Sequence, residues 1–247
     1  MDHDLAQDTF IMLADTLAAD FDTTVVLGLL AERCRDLFDV AACGLLLADE
    51  NNDAVDLAAA SDRDARTLEQ LQLTTCQGPA LDCFRAGSVV VCHDLVDAWQ
   101  RWPRFAPVAV ADGFRGAHVL PLRLRDQVLG TLGLYTMVPG PLERRVLALG
   151  QGLADMAAIG LVNWRILRGY ETTARQLRTA LDSRILIEQA KGVLAERMRI
   201  DVDAAFAILR AHARATNRKL VDAAAGVVDG SLPLLGAVVE RRGNDPS

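Results

Sequence analysis

The chain lacks a disulfide framework. Its five cysteines, Cys34, Cys43, Cys76, Cys83 and Cys92, are odd in number, irregularly spaced and include no CxxC pair. Such usage predicts free thiols in a reducing compartment. No run of about 18 uncharged apolar residues occurs, so no membrane-spanning helix is expected. The first residues, MDHDLAQD, are acidic, unlike the basic start of a secretory signal, and a cytoplasmic location is expected. No phosphate-cradling loop or nucleophile elbow is present: Gly130-Thr131-Leu132-Gly133 sits inside a strand pattern, not before a helix. Catalysis therefore has no positive signal. The members of a hydrolytic triad meet only in space, so spacing alone leaves that class open.

What the chain has is apolar residues and an uneven charge. Its 247 residues are 51% apolar, enough for one large domain or two small ones. Only Met1–Asp4 and Arg241–Ser247 read as frayed. Residues 165–219 hold 12 Lys and Arg against 6 Asp and Glu, whereas residues 1–164 hold 12 against 23. One part repels anions and the other attracts them.

Hydrophobic spacing gives the elements. Asp8–Phe38 reads as two helices divided at Ala19–Asp22. Cys43–Ala48 and Ala54–Ala60 read as a hairpin around Asp49–Asp53. Ala65–Leu71 and Pro79–Ala86 read as short helices, the second closed by Gly87, before a strand at Ser88–Cys92. Asp97–Arg115 reads as a loop and helix over a sheet. His118–Leu124 and Gln127–Tyr135 form the clearest strand pair, and Val138–Pro141 breaks the pattern.

A heptad pattern follows. With Val146 at position a, the a positions are Val146, Leu153, Gly160, Leu167, Ala174 and Leu181; the d positions are Leu149, Met156, Asn163, Tyr170 and Leu177. This predicts a long helix that pairs with a second copy of the chain, or else closes the first domain. Three helices are then expected: one to about Met198, one over Val202–Thr216 capped by Asp201, and one over Arg218–Asp229 capped by Asn217. Their apolar faces are Leu186, Ala190, Val193 and Leu194; Ala205, Phe206 and Leu209; and Leu220, Ala223, Ala224 and Val227. Faces of this width need one another, which predicts a three-helix bundle. Phe206 is its one aromatic residue, and its position predicts burial, leaving no stacking platform. A short helix over Leu234–Glu240 is expected last.

The cysteines read as structural, with redox sensing as the alternative. Cys92 and His93, adjacent on a strand, point to opposite faces, so no metal site is expected. Arg184, Lys191, Arg197, Arg199, Arg210, Arg214, Arg218 and Lys219 make the bundle basic, a composition that neutralises phosphates or simply forms a solvated face.

The run SRILIEQAKGVLAERMRIDVDAAFAILRAHARATNRKLVDAAAGVV resembles the ANTAR domain over about Leu177–Asp229. The match lies in Ser183-Arg184, Ile187 to Leu194, Ala205-Phe206, Leu209-Arg210 and Asn217 to Leu220 before Ala224. Gly78-Pro79, Asp94-Leu95, Arg101 to Phe105, Pro121-Leu122 and Leu134-Tyr135 resemble the GAF domain of actinobacterial GAF–ANTAR regulators, over roughly Val25–Val162. The resemblance implies an α+β fold: a GAF-like antiparallel sheet with helices, a long coiled-coil helix and a C-terminal three-helix ANTAR bundle. The expected divisions are an N-terminal helix (1–24), the GAF-like domain (25–145), a dimerisation helix (146–181), the ANTAR domain (177–230) and a tail (231–247).

The resemblance further implies a non-enzymatic, dimeric transcription antiterminator. It would bind paired stem-loops of nascent RNA and respond to a small molecule in the GAF domain, whose identity no residue pattern gives. A haem would need His93 or His118 as its axial ligand. Arg184, Gln189, Lys191, Arg210, Arg214, Asn217, Arg218 and Lys219 are the expected RNA contacts. Gly192 is expected to admit a phosphate or another helix. The competing readings are a redox, gas or small-molecule sensor acting through a protein partner, and a sulfoxide-reducing enzyme built on Cys76 or Cys83.

Overall fold

The computed structural model describes residues 3–15, 23–49 and 54–232. The chain divides into two compact units, residues 1–167 and 168–247. The break expected at Ala19–Asp22, most of the turn at Asp49–Asp53 and the helix expected at Leu234–Glu240 lie outside the described residues.

The first unit is built on a five-stranded antiparallel sheet of β1 (Ala42–Ala48), β2 (Val55–Ala60), β3 (Val90–Cys92), β4 (Gly116–Leu124) and β5 (Gln127–Thr136), in the order β2-β1-β5-β4-β3. Residue 125, at the β4–β5 turn, adopts φ 56°, a left-handed geometry that suits a tight hairpin. Central strands are apolar on both sides, because helices cover both faces. Alternate residues go to opposite cores: Cys43 and Leu45 to one, Ala42 and Leu46 to the other.

Helices α1 (His3–Asp15) and α2 (Thr23–Phe38) and the start of α6 (Arg144–Met198) supply the first core. Leu153, Ala154, Ala157, Ala158 and Leu161 of α6 are buried there, with Val146, Leu149 and Met156 packed alongside. The early heptads are thus occupied by the domain's own sheet. By length and composition alone α6 is long and apolar enough to cross a membrane, unlike the expectation from the sequence, but nearly half of that apolar stretch is buried within the protein. Helices α3 (Arg63–Thr75), α4 (Pro79–Ala86) and α5 (Ala106–Ala111) cover the other face. Proline opens α4 and Gly87, at φ 62°, closes it, as the sequence predicted.

Farther along α6 the apolar residues turn outward. Ile166 and Leu167 are exposed at the end of the first unit, and Tyr170, Leu177, Leu181 and Ile185 are exposed in the second. The second unit also holds α7 (Val202–Ala215) and α8 (Leu220–Val228). Its core is small and rich in alanine: Ala190, Leu194, Ala205, Leu209, Ala213, Ala223, Ala224 and Val227.

Candidate nucleic-acid interface

The corners of the second unit set where its cations lie. Helix α6 ends in a left-handed residue, Arg199 at φ 53°, and the amide of Ile200 donates to Ala195 O at 3.1 Å. The Asp201 carboxylate then accepts from the Ala204 amide at 2.8 Å and starts α7, as expected.

The next corner corrects the sequence reading. Asn217 does not cap a following helix: it sits at φ 52° just past the end of α7, and the Arg218 amide donates back to Ala213 O at 2.9 Å. Asparagine tolerates this left-handed position. Helix α8 therefore begins at Leu220 behind Lys219, whose side chain makes no capping bond.

Arg184, Gln189, Arg210, Arg214, Asn217, Arg218 and Lys219 are all exposed. Arg184, Arg210, Arg214 and Lys219 form no ion pair among the described residues. Lys191 differs: its ammonium binds both carboxylate oxygens of Glu188, at 3.0 and 2.9 Å, and its side chain is only 16% exposed. Gly192 beside it is exposed, with open space where a Cβ would stand. Among the described residues, no helix packs against it.

Phe206 also departs from expectation. It was expected to join the bundle core, but it is only half-buried and lies outside that cluster. The Lys191 ammonium lies 5.5 Å and the Arg210 guanidinium carbon 5.9 Å from its ring centroid. The buried face of α7 is instead Ala205, Leu209 and Ala213, a strict four-residue repeat one position away from Phe206.

The first unit keeps its polar chemistry inside. Glu69 of α3 is fully buried. Its Oε1 accepts from the Tyr135 hydroxyl at 2.8 Å, and its Oε2 accepts from Gln72 Nε2 at 2.7 Å. Gln72 Nε2 also donates to the Tyr135 oxygen at 2.9 Å, and Gln72 Oε1 accepts from the Ala80 amide at 2.8 Å. These bonds suit a charged carboxylate, yet burial outweighs them and pushes Glu69 up to about 7. Gly44 of β1 makes room: a Cβ there would strike the Glu69 side chain.

The residues that carry the GAF resemblance tie the covering segments down. Asp82 Oδ2 accepts from Arg101 Nε at 3.0 Å and from Trp102 Nε1 at 3.1 Å. Arg104 N donates to Gln77 Oε1 at 3.0 Å. Arg115 grips both oxygens of Asp94, which also accepts from the Val96 amide. Trp102 and Phe105 are buried beneath.

His118 is fully buried on β4, and burial lowers it to about 4. Its Nε2 accepts from the Leu142 amide at 3.2 Å, just ahead of α6. Its Nδ1 has no partner among the described residues. His93 is exposed, its ring 6.2 Å from that of His118. Of the cysteines, Cys76 is exposed, whereas Cys34, Cys43 and Cys83 are buried. Burial pushes Cys83 up to about 12 and raises Cys43 well above the usual thiol value, so neither supplies a thiolate near neutrality. The sequence drew no attention to Glu69, Gln72 or their link to Tyr135. The only signal was glycine at position 44 within an otherwise apolar strand.

The family model described as GAF domain matches residues 22–162, and that described as ANTAR domain matches residues 175–228. No curated protein matches the chain. Among solved structures, the GAF domain of an Acinetobacter phosphoenolpyruvate-protein phosphotransferase is 16% identical, with TM-score 0.53, over 67% of this chain and 97% of that one. The free methionine-R-sulfoxide reductase of Neisseria meningitidis, in complex with its substrate, is 17% identical, with TM-score 0.51, over 68% and 95%. The GAF domain of the Coxiella burnetii phosphoenolpyruvate-protein phosphotransferase is 16% identical, with TM-score 0.52, over 66% and 98%. At such identities these likenesses establish the fold alone. The chain belongs to the GAF family, and its ANTAR domain makes it an RNA-binding antitermination regulator with a GAF sensor domain.

Proposed function

We propose that this chain works in the cytoplasm as a homodimeric antiterminator, without catalysis of its own. Two ANTAR bundles grip paired stem-loops of a nascent transcript, and a small molecule bound by the GAF domain sets whether they do so. One observation carries this reading: exposed apolar seam residues on α6 run on to Arg184, where the basic bundle begins. Leu167, Tyr170, Leu177 and Leu181 hold the a and d positions in water. The next d position is Arg184, and the next a position is Glu188. A seam of that kind is what pairing with a second copy buries.

Two bundles on one stalk suit two adjacent loops, since the second contact becomes intramolecular once the first is made. Arg184, Gln189, Lys191, Arg210, Arg214, Asn217, Arg218 and Lys219 are assigned to the RNA. Cations meet phosphates there, and amides read the edges of unpaired bases. The switching signal travels as a population shift of the stalk. Of the two thiols on which a sulfoxide-reducing reading rests, Cys83 is buried, which disfavours catalysis there, while Cys76 is exposed.

Binding of RNA carrying two tandem hairpins, measured across salt concentrations beside single hairpins, tests the reading. Strong preference for the tandem RNA with a steep salt dependence is expected. Equal binding of single and tandem hairpins would overturn the paired-loop mechanism.

A further inference from the structure

We propose that Phe206 is a stacking platform for one unpaired base of the RNA loop, with Lys191 and Arg210 meeting the phosphates on either side of that base. The proposal rests on the RNA reading above and adds the residue that holds a base by its face.

The argument begins with what α7 buries. Its inward positions are Ala205, Leu209 and Ala213, while its largest side chain, Phe206, is left partly exposed and outside the core. A phenyl ring offers much apolar area, so leaving it there sacrifices stability that the bundle could have gained. Phe206 is also the sole aromatic residue within 175–228. Its neighbours are cations: Lys191 at 5.5 Å and Arg210 at 5.9 Å from the ring centroid. The Glu188 carboxylate holds the Lys191 ammonium in place, at 2.9 Å. A partly exposed ring flanked by an ammonium and a guanidinium complements a nucleotide, whose flat base is joined to anionic phosphates.

Gly192 is a second, independent sign. A glycine inside a helix is unfavourable relative to alanine. This one is exposed, with nothing near its missing Cβ among the described residues, so their packing does not require it. A loop backbone approaching α6 beside Lys191 would.

The test uses full-length protein and tandem hairpins with randomised hexanucleotide loops, from which the tightest binder is taken. An abasic residue is placed at each loop position in turn, and F206L and F206W are compared with the unaltered protein. One loop position is expected to weaken binding about five- to hundredfold when its base is removed. F206L should lose a similar factor and F206W should keep affinity. The abasic loop should penalise F206L little further. Full affinity of folded F206L, or an undiminished abasic penalty in that variant, would overturn the stacking role.

Photocrosslinking of 4-thiouridine loops to the unaltered protein decides the matter even if F206L fails to fold. Crosslinks on Phe206 support the platform, and crosslinks confined to other residues overturn it. Failure of the unaltered protein to bind any hairpin in the pool would instead overturn the RNA reading itself.

Discussion

The two units treat polar chemistry in opposite ways. The GAF domain buries it: Glu69, Gln72 and His118 lie inside. The ANTAR bundle buries mostly alanine and leucine and keeps Arg184, Arg210, Arg214, Arg218 and Lys219 outside. Interior polar groups are costly unless paired, so the first unit invests in a few specified contacts. The second has a thin core and a surface fit for a polyanion. The contrast suits their tasks, since a sensor needs an interior that can change state, whereas an RNA grip needs an accessible surface.

The largest way to break the contrast is to unmake the thin core. Leu209→Ala should destabilise the bundle by about 2–5 kcal/mol. Calorimetry should show its transition fall while that of the GAF domain stays. A common shift of both would mean that the two units melt as one.

Acid and base sharpen the other side. Glu69 is raised from 4.5 to about 7, so between those values the folded chain binds the extra proton. Its contribution is favourable at low pH and is lost as pH rises through about 7. The stability of the unaltered protein relative to E69Q should fall by roughly 3 kcal/mol across that range, at about 1.4 kcal/mol per pKa unit. His118 has the opposite sign. It is lowered from 6.5 to about 4, so stability relative to H118Q should fall as pH drops from about 6.5 towards 4. Denaturant titrations over pH check both slopes, and parallel curves for variant and parent would contradict the assignment.

Smaller effects belong to the surface. Lys191→Ala and Arg218→Ala should each weaken hairpin binding and together reduce the slope of log affinity on log salt by about 1 to 2. Circular dichroism and sedimentation should stay unchanged. The smallest change is Gly192→Ala. It should stabilise the bundle by up to about 1 kcal/mol, because the added methyl meets open space, while weakening RNA binding.

The sequence carried the order of elements well where local chemistry decides it. Pro79 and Gly87 bracket α4, the Asp201 cap starts α7, and two apolar runs mark β4 and β5. It failed where distant partners decide. Asn217 suits a helix start and a left-handed helix end equally, and only the return of the Arg218 amide to Ala213 picks the second. Phe206 fits an apolar stripe, but a core filled by alanines one position away leaves it at the surface. The heptads predict a buried stripe without naming the partner: the sheet takes Leu153, while Leu177 faces water. Glu69 and Tyr135 stand 66 positions apart, and no local pattern joins them.

The central claim is that a seam on α6 holds two bundles where both can reach one transcript. Sedimentation of the Tyr170→Glu, Leu177→Glu double variant with tandem-hairpin RNA tests it most directly. The account predicts a folded monomer that binds tandem and single hairpins equally weakly, while the unaltered dimer prefers the tandem RNA strongly. A variant that stays dimeric, or a monomer that retains the tandem preference, would contradict it.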